Sequence, residues 1–215
     1  MTDLQTDFMT DNAAPLILAS QSKVRATLLA QAGLTFETLP AHVDEEAVKE
    51  AMKAEAAPPA HIAETLAEMK AVKISQKCLN RGAKGALVIG ADQMLDCNGV
   101  LFDKPEDLTH AKAHLQALSG KTHTLISAAI VARDGEAIWR HLSRAKLTMR
   151  PLSSDFIDRY LDQVGALALT SVGAYQVEGL GIHLFSKIEG AQAVIQGLPL
   201  LELLDFLRAN DVIPQ

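Results

Sequence analysis

Serine and arginine side chains follow a short apolar segment near the start of the chain, and this combination can bind an anion. Residues 16–18 are apolar, Ser20 and Ser22 come next, and Arg25 lies at the start of a predicted helix. Serine hydroxyls and N–H groups at a helix N-terminus donate to anion oxygens, and arginine can bind two of them at once. The segment therefore predicts a phosphate site. An ordinary strand, N-cap and helix is the alternative, since serine is a favoured N-cap.

Carboxylates and lysines elsewhere in the chain can complete such a site. Glu45 opens a predicted helix, Asp92 follows a continuous apolar run, Lys70 lies within a helical pattern, and Lys104 follows a predicted hairpin. A divalent metal prefers oxygen ligands, and a carboxylate can take a proton from attacking water. Taken singly, the residues have simpler explanations as caps or solvated side chains. Their combination favours metal-assisted phosphate chemistry.

The order of helical and extended segments predicts an α/β protein with a mixed, twisted sheet flanked by helices. Asn98-Gly99 and Asp134-Gly135 each predict a β-hairpin. We predict helices near 23–32, 45–56, 61–80, 108–118, 154–161 and 199–208, strands near 16–18, 36–43, 87–91, 122–132, 137–149 and 182–188, and loops near 173–181 and 189–197. Strand ends in such sheets converge on one crevice, and we expect Asp92 to end its strand there. The side chains that we expect to gather at this crevice are those of Ser20, Ser22, Arg25, Asp44, Glu45, Asp92 and Lys104.

Length, charge and cysteine content restrict the classes of protein. The 215 residues carry a net charge of −6 and are 48% hydrophobic, which argues against a long nucleic acid as the main partner. No apolar run approaches the ~20 residues that cross a bilayer, so no membrane partner is expected. Cys78 and Cys97 are too few for a disulfide framework and favour a reducing compartment. We predict a flexible tail over residues 1–14 and one domain over 15–215.

Short stretches spread along the chain match a known pattern in their order and spacing. They are Leu18-Ala19-Ser20-Gln21-Ser22 with Arg25 and Leu28-Leu29, Val43-Asp44-Glu45, Leu66-Ala67-Glu68-Met69-Lys70-Ala71, Ile89-Gly90-Ala91-Asp92-Gln93, Lys104-Pro105, Ser119-Gly120 with His123, Gly173-Ala174-Tyr175, Ile188-Glu189-Gly190 and Gly197-Leu198-Pro199-Leu200. In these stretches the chain resembles the Maf family of nucleoside triphosphate pyrophosphatases, from Leu16 to the C-terminal helix.

The resemblance implies a fold of two lobes around a central cleft, similar to inosine triphosphatases. It implies hydrolysis of the α–β phosphate bond of a nucleoside triphosphate to a monophosphate and pyrophosphate, with Mg²⁺ or Mn²⁺ as cofactor, in a cytoplasmic homodimer. In the matching positions, Asp92 is the proton acceptor, and Glu45 and Asp92 are acidic residues near the metal. The positions on the phosphate side are Ser20, Ser22, Arg25, Lys70 and Lys104.

Three positions bear on the choice of nucleobase. Gln93 and Glu178 together resemble the family members that act on 7-methyl-GTP rather than on dTTP and UTP. A carboxylate suits guanine, which presents N1–H and N2–H donors and becomes cationic on methylation. Val24 is the third position, and it stands where a bulkier residue is expected. We therefore predict noncanonical or modified nucleotides, 7-methyl-GTP among them, as substrates.

The chain also departs from the family pattern. The usual Ser-Pro-Arg-Arg is Ser22-Lys23-Val24-Arg25, so a proline and an arginine are missing, and Ala191-Gln192 replaces an Asp-Tyr pair. Lysine carries charge without the two-pronged geometry of arginine. An alternative hypothesis is therefore a nucleotide-binding regulatory protein linked to septum formation, with weak or no catalysis. A phosphatase that releases single phosphates is a third.

Overall fold

The computed structural model describes residues 8–11 and 13–215, which form a mixed α/β fold with an open seven-stranded sheet. The strands are β1 Leu16–Leu18, β2 Glu37–Thr38, β3 Leu87–Cys97, β4 Val100–Phe102, β5 Thr122–Arg133, β6 Glu136–Met149 and β7 Phe185–Glu189. The helices are α1 Lys23–Gln31, α2 Glu45–Ala54, α3 Pro59–Asn80, α4 Leu108–Leu118, α5 Ser154–Val164, α6 Gln192–Ile195 and α7 Leu200–Ala209. Short 3₁₀ turns cover Gly165–Thr170, Val172–Ala174 and Leu180–Leu184.

The sheet is mixed, as predicted. Its strand order is β2-β1-β3-β5-β6-β7, with β4 paired to β3 off this path. Strand β1 pairs in parallel with β2 and β3, whereas the pairs β3–β4 and β6–β7 are antiparallel. The hairpins predicted at Asn98-Gly99 and Asp134-Gly135 are confirmed, since both asparagine and aspartate adopt the positive φ that such turns require.

Local capping chemistry fixes where several helices begin. The side chain of Asp44 accepts a hydrogen bond from Ala47 N at the start of α2, and Ser153 accepts one from Phe156 N at the start of α5. Pro59 occupies the first turn of α3, where its missing N–H costs nothing. The starts of α2 and α5 confirm the sequence prediction, whereas α3 begins at Pro59 rather than at the predicted His61.

The prediction that Asp92 ends its strand is wrong. Strand β3 continues for five more residues, because the part beyond Asp92 pairs with β4 in the register Leu95↔Phe102. Asp92 nevertheless lies beyond the end of β1, whose last pair with β3 is Leu18↔Ile89. The carboxylate is therefore still next to the carboxyl end of a parallel strand, where the chain turns toward α1.

Three smaller differences from the prediction concern element lengths. Strand β2 covers only Glu37–Thr38 of the predicted 36–43, and β7 begins at Phe185 because a 3₁₀ turn precedes it. The predicted loop at 189–197 contains the one-turn helix α6. Glycine-rich sequence near these segments concealed the short turns, which hydrophobic periodicity does not detect.

The chain divides into two compact units. Unit 1 comprises the described residues up to Asp92, with Ser127–Ser143 and Gln196–Gln215; unit 2 comprises Gln93–Ile126 and Arg144–Ile195. Each has its own apolar core. The core of unit 1 contains Leu18, Leu29, Ile89, Val131, Leu198, Leu203 and Leu207, and that of unit 2 contains Leu95, Leu115, Leu118, Leu125, Leu147, Ile157 and Leu184.

The predicted tail is only partly described, because residues 1–7 and 12 lie outside the described residues. Phe8 N donates a hydrogen bond to Gly33 O at 2.9 Å, and Thr10 N donates one to Val212 O at 3.0 Å. The boundary between a tail and one domain stays a prediction. In the described residues, every helix is too short or too polar to traverse a lipid bilayer.

Candidate active site

Helix α3 lies unusually close to strand β3 at Gly90. A Cβ atom placed on Gly90 would lie 2.2 Å from Ala67 O and 2.7 Å from Ala71 N, so only glycine allows this approach. Ala67 and Ala71 are completely buried and present small side chains to the strand. The contact holds the middle turn of α3, including Lys70, directly against β3 near Asp92.

Lys70 joins two carboxylates that come from different elements. Its Nζ lies 2.6 Å from Asp92 Oδ1 and 2.8 Å from Glu45 Oε1. Lys70 is only 7% exposed and Asp92 6%, whereas the Glu45 side chain is 43% exposed. Lys70 therefore lies on the buried face of α3, where the ion pair with Asp92 offsets the cost of removing its ammonium from water.

The second carboxylate oxygen of Asp92 accepts no hydrogen bond from the described residues. Asp92 Oδ2 is buried and has no hydrogen-bond partner in residues 8–11 and 13–215. A buried carboxylate oxygen without a donor is costly, so such an atom usually has a ligand, an ion or water as its partner. Asp92 can therefore accept a proton or bind a cation through Oδ2 while Lys70 holds Oδ1 in place.

Ser20, Ser22 and Arg25 lie together at the turn between β1 and α1. Ser20 Oγ accepts from Ser22 N at 3.1 Å and from Arg25 Nη1 at 3.4 Å, and Ser22 Oγ caps α1 by accepting from Arg25 N. Both serines thus order the first turn of the helix, whose N-terminus carries partial positive charge. Their grouping was predicted; their roles as phosphate ligands stay a prediction.

Arg25 also connects three separate stretches of the chain. Its Nε donates to Gly197 O and its Nη1 to Ala91 O, each at 2.9 Å, in addition to the contact with Ser20. Burial lowers the pKa of the Arg25 guanidinium, and the carboxylates of Asp92 and Glu45 oppose that shift. The guanidinium thus fixes the Gly197 turn and the residue before Asp92, a structural role that the sequence did not reveal.

The remaining predicted site residues occupy different environments. Val24 lies half-buried in α1 of unit 1. In unit 2, Gln93 Nε2 donates to Val194 O at 3.0 Å and to Ile195 O at 3.1 Å, while Lys104 and Glu178 are exposed in loops. Unit 1 therefore brings together Ser20, Ser22, Arg25, Glu45, Lys70 and Asp92. That Gln93, Lys104 and Glu178 join them around one nucleotide stays a prediction.

A buried polar pair orders the loop that leads to Glu178. His123 Nε2 lies 2.6 Å from the Tyr175 hydroxyl, and both rings contact Phe185. Ser171 Oγ donates to Tyr175 O at 2.6 Å, so the loop is held on both sides of the tyrosine. Tyr175, a residue of the glycine-rich loop, is therefore a buried anchor of that loop. The signal in the sequence was His123 itself, which is a polar residue in an apolar strand.

Acid should destabilise the protein through His123. Burial lowers the pKa of His123 to about 4 from 6.5, so the folded state holds it neutral while the unfolded state binds a proton below pH 6.5. Stability should therefore fall as the pH decreases from 6.5 to 4, by roughly 3 kcal/mol for this shift. Urea unfolding of the wild type and of His123→Gln across this range measures the effect.

The His123→Gln variant should be less stable than the wild type at pH 7 and should lose less stability on acidification. The exposed His61 offers a matched control, and His61→Gln should keep the wild-type pH dependence. If the free energy of unfolding of the wild type and of His123→Gln depended on pH in the same way, the prediction would be contradicted.

The residues that the structure describes contain no group of three or more histidine, cysteine or acidic side chains placed to hold a metal ion. Glu45 and Asp92 supply two carboxylates, and Lys70 lies between them. Cys78 and Cys97 are buried free thiols, and burial raises the pKa of both. The described residues thus provide a pair of carboxylates rather than a complete set of metal ligands.

Enzymes that act on phosphate esters and anhydrides commonly combine three features of this structure. These are an α/β sheet, a helix N-terminus next to the site, and a carboxylate paired with a lysine. Residues 15–210 match the family described as "Maf-like protein", and the chain belongs to that family.

Relatives of about equal length are identical to this chain at half or more of the aligned positions. A "Nucleoside triphosphate pyrophosphatase" of Paramagnetospirillum magneticum is 56% identical over 90% of this chain and 97% of its own length. One of the same description from Nitrobacter winogradskyi is 53% identical over 91% and 94%. A "7-methyl-GTP pyrophosphatase" of Brucella abortus is 50% identical over 92% and 97%.

Proposed function

We propose that the protein hydrolyses the bond between the α and β phosphates of a nucleoside triphosphate, giving a monophosphate and pyrophosphate. The observation that carries this proposal is the buried Asp92–Lys70 pair with its open oxygen, Asp92 Oδ2. Family membership and relatives described as pyrophosphatases support the same reaction. Hydrolysis of a polyphosphate chiefly requires charge neutralisation and a positioned water molecule, which cationic and acidic residues supply.

Each residue has a distinct task in this proposal. Asp92 Oδ2 accepts a proton from the attacking water as the water oxygen bonds to the α phosphorus. The anhydride bond between the α and β phosphates breaks, and pyrophosphate leaves with its electron pair. Lys70 fixes the carboxylate through Oδ1 and offsets phosphate charge. Ser20, Ser22 and the first turn of α1 bind phosphate oxygens, and Arg25 keeps this turn next to the strand that carries Asp92.

We also propose Mg²⁺ or Mn²⁺ as cofactor. The open Asp92 Oδ2 and the half-exposed Glu45 fit such an ion, because Mg²⁺ in phosphate enzymes is held by one or two carboxylates together with phosphates and water. When bound, the ion would withdraw electron density from the phosphates and neutralise charge on the leaving pyrophosphate. Glu45 and Asp92 would hold it, and Asp92 Oδ2 would keep a second lone pair for the proton of the attacking water.

For the substrate, we propose modified nucleotides, with 7-methyl-GTP first among them. Gln93 and Glu178 match the positions of the 7-methyl-GTP group, and relatives with that description are 50% identical. A glutamate would accept hydrogen bonds from guanine N1–H and N2–H and favour the methylated, cationic base. Val24 would contact the base, and Lys104 would bind a phosphate. The resemblance also supports a cytoplasmic homodimer, which light scattering of the purified protein tests.

A panel of nucleotides tests the reaction. With Mg²⁺ or Mn²⁺, the protein should release pyrophosphate, and no orthophosphate, from at least one of 7-methyl-GTP, GTP, ITP, dTTP and UTP. Glu178→Gln should lower the ratio of kcat/KM for 7-methyl-GTP to kcat/KM for UTP by roughly 10-fold or more, since one charge-assisted hydrogen bond to the guanine is lost. Nucleotide binding without either phosphate product would contradict catalysis and support the regulatory alternative. Orthophosphate as first product would indicate a phosphatase.

A further inference from the structure

The Lys70 ammonium occupies the place between Asp92 and Glu45 that a cation would take. Its Nζ is within 2.8 Å of an oxygen of each carboxylate. Lys70 is buried, and so is Asp92, so the ammonium is held in a fixed position and not spread over solvent-exposed rotamers. The two carboxylates, the Lys70 ammonium and the Arg25 guanidinium near them sum to a charge of zero, which leaves little attraction for a free divalent ion.

We propose that Lys70 acts as an internal counter-ion that keeps the carboxylate pair closed to divalent metal until a nucleotide arrives. This inference rests on the proposed function. Lys70 would exchange its contact with Glu45 for a phosphate oxygen of the nucleotide, and Glu45 and Asp92 would then bind the metal that the triphosphate brings.

Three features of the chain support an exchange rather than simultaneous binding. A second cation next to the ammonium would be repelled strongly at a buried site, where screening by water is weak. Lysine has a flexible stem of four carbons, so its charged group can move by a few ångströms without a change in the helix. Asp92 Oδ2 has no hydrogen-bond partner in the described parts of the chain, so one oxygen ligand for the incoming cation is already available.

The matched control is Lys73, one turn along the same helix. Lys73 is exposed, and its Nζ donates to His42 O at 2.8 Å rather than to a carboxylate. Lys73→Met therefore removes a positive charge from α3 without altering the Asp92–Glu45 pair. Lys70→Met removes the internal counter-ion, and Lys70→Gln does the same while it keeps a hydrogen-bond donor.

Mn²⁺ binding without turnover tests the proposal. Water-proton relaxation distinguishes Mn²⁺ on the protein from Mn²⁺ on free nucleotide. Without nucleotide, Lys70→Met or Lys70→Gln should bind Mn²⁺ at least about 10-fold more tightly than the wild type, and Lys73→Met should match the wild type. Mn²⁺ should raise the Tm of the Lys70 variants more than that of the wild type, because a ligand stabilises the state that binds it. A methylene analogue at the α–β bridge should tighten Mn²⁺ binding to the wild type by a similar factor.

The outcomes separate this inference from the proposed reaction. Unchanged or weaker Mn²⁺ binding in the Lys70 variants would overturn the inference even if the wild type releases pyrophosphate. Tight Mn²⁺ binding by the wild type without nucleotide would also overturn it, and this measurement needs no variant to fold. Tighter binding in the variants would support it even if the nucleotide panel gave no pyrophosphate.

Discussion

Asp92→Asn should reduce the rate of pyrophosphate release by about 10²–10⁴-fold, the usual contribution of a proton acceptor. The amide has nearly the shape of the carboxylate, and its oxygen can still accept from Lys70 Nζ, which lies 2.6 Å from Asp92 Oδ1. Lys70 also keeps its contact with Glu45. The fold should therefore persist while Oδ2 loses its ability to take a proton. Steady-state kinetics with the best nucleotide of the panel, together with circular dichroism, measure both effects.

Asp96 provides the matched control on the same strand. Its Oδ1 accepts from Gly99 N at 2.8 Å in the β3–β4 turn, and its role is structural. Asp96→Asn should retain turnover within about 3-fold, since the turn lies outside the proposed machinery. If Asp92→Asn turned over substrate at the wild-type rate, Asp92 would not be the base.

Gly90→Ala should destabilise the fold severely. The added Cβ would lie 2.2 Å from Ala67 O and 2.7 Å from Ala71 N, and these are backbone atoms of α3 that cannot rotate away. Overpacking of this kind costs about 3 kcal/mol or more, because the helix must move off the strand. For a chain of this size, the expected decrease in Tm is roughly 6–12 °C. Thermal unfolding followed by circular dichroism tests the prediction.

The same substitution at another glycine controls for the loss of backbone freedom. Gly179 has a φ of −127°, and the nearest atom to its added Cβ is Gln176 O at 4.0 Å. Gly179→Ala should change the stability by about 0.5 kcal/mol or less. A Gly90→Ala protein with the wild-type Tm would show that α3 does not approach β3 this closely.

Helix α3 shows how far a sequence pattern can predict a site. The spacing of Ile62, Leu66 and Met69 correctly predicts the helix, but its buried face is rotated from the one these residues suggest. Met69 is 39% exposed, whereas Lys70 is buried together with Ala67. A search for large apolar residues overlooks alanine, which packs best where backbones approach closely. Because the buried ammonium depends on carboxylates distant in sequence, no local pattern could place it.

Strand β3 illustrates a second limit. Its apolar run predicted the strand, but the charged Asp92 suggested an end where the strand in fact continues to Cys97. A carboxylate inside a strand is tolerated only because Lys70, 22 positions earlier, neutralises it. Resemblance to a family identified Asp92 and Lys70 as site residues, yet it could not show that they contact each other. The three carbonyl and hydroxyl partners of Arg25 were hidden for the same reason.

The division into two units has a consequence for how the protein is made. The chain changes unit after Asp92, Ile126, Ser143 and Ile195, so neither unit is one continuous piece of polypeptide. Leu198, Leu203 and Leu207 of the final segment are fully buried in the core of unit 1. A nascent chain thus cannot complete this core until Leu207 has left the ribosome. Completion of unit 1 before unit 2 during synthesis is therefore excluded, and the distant contacts should make folding slow.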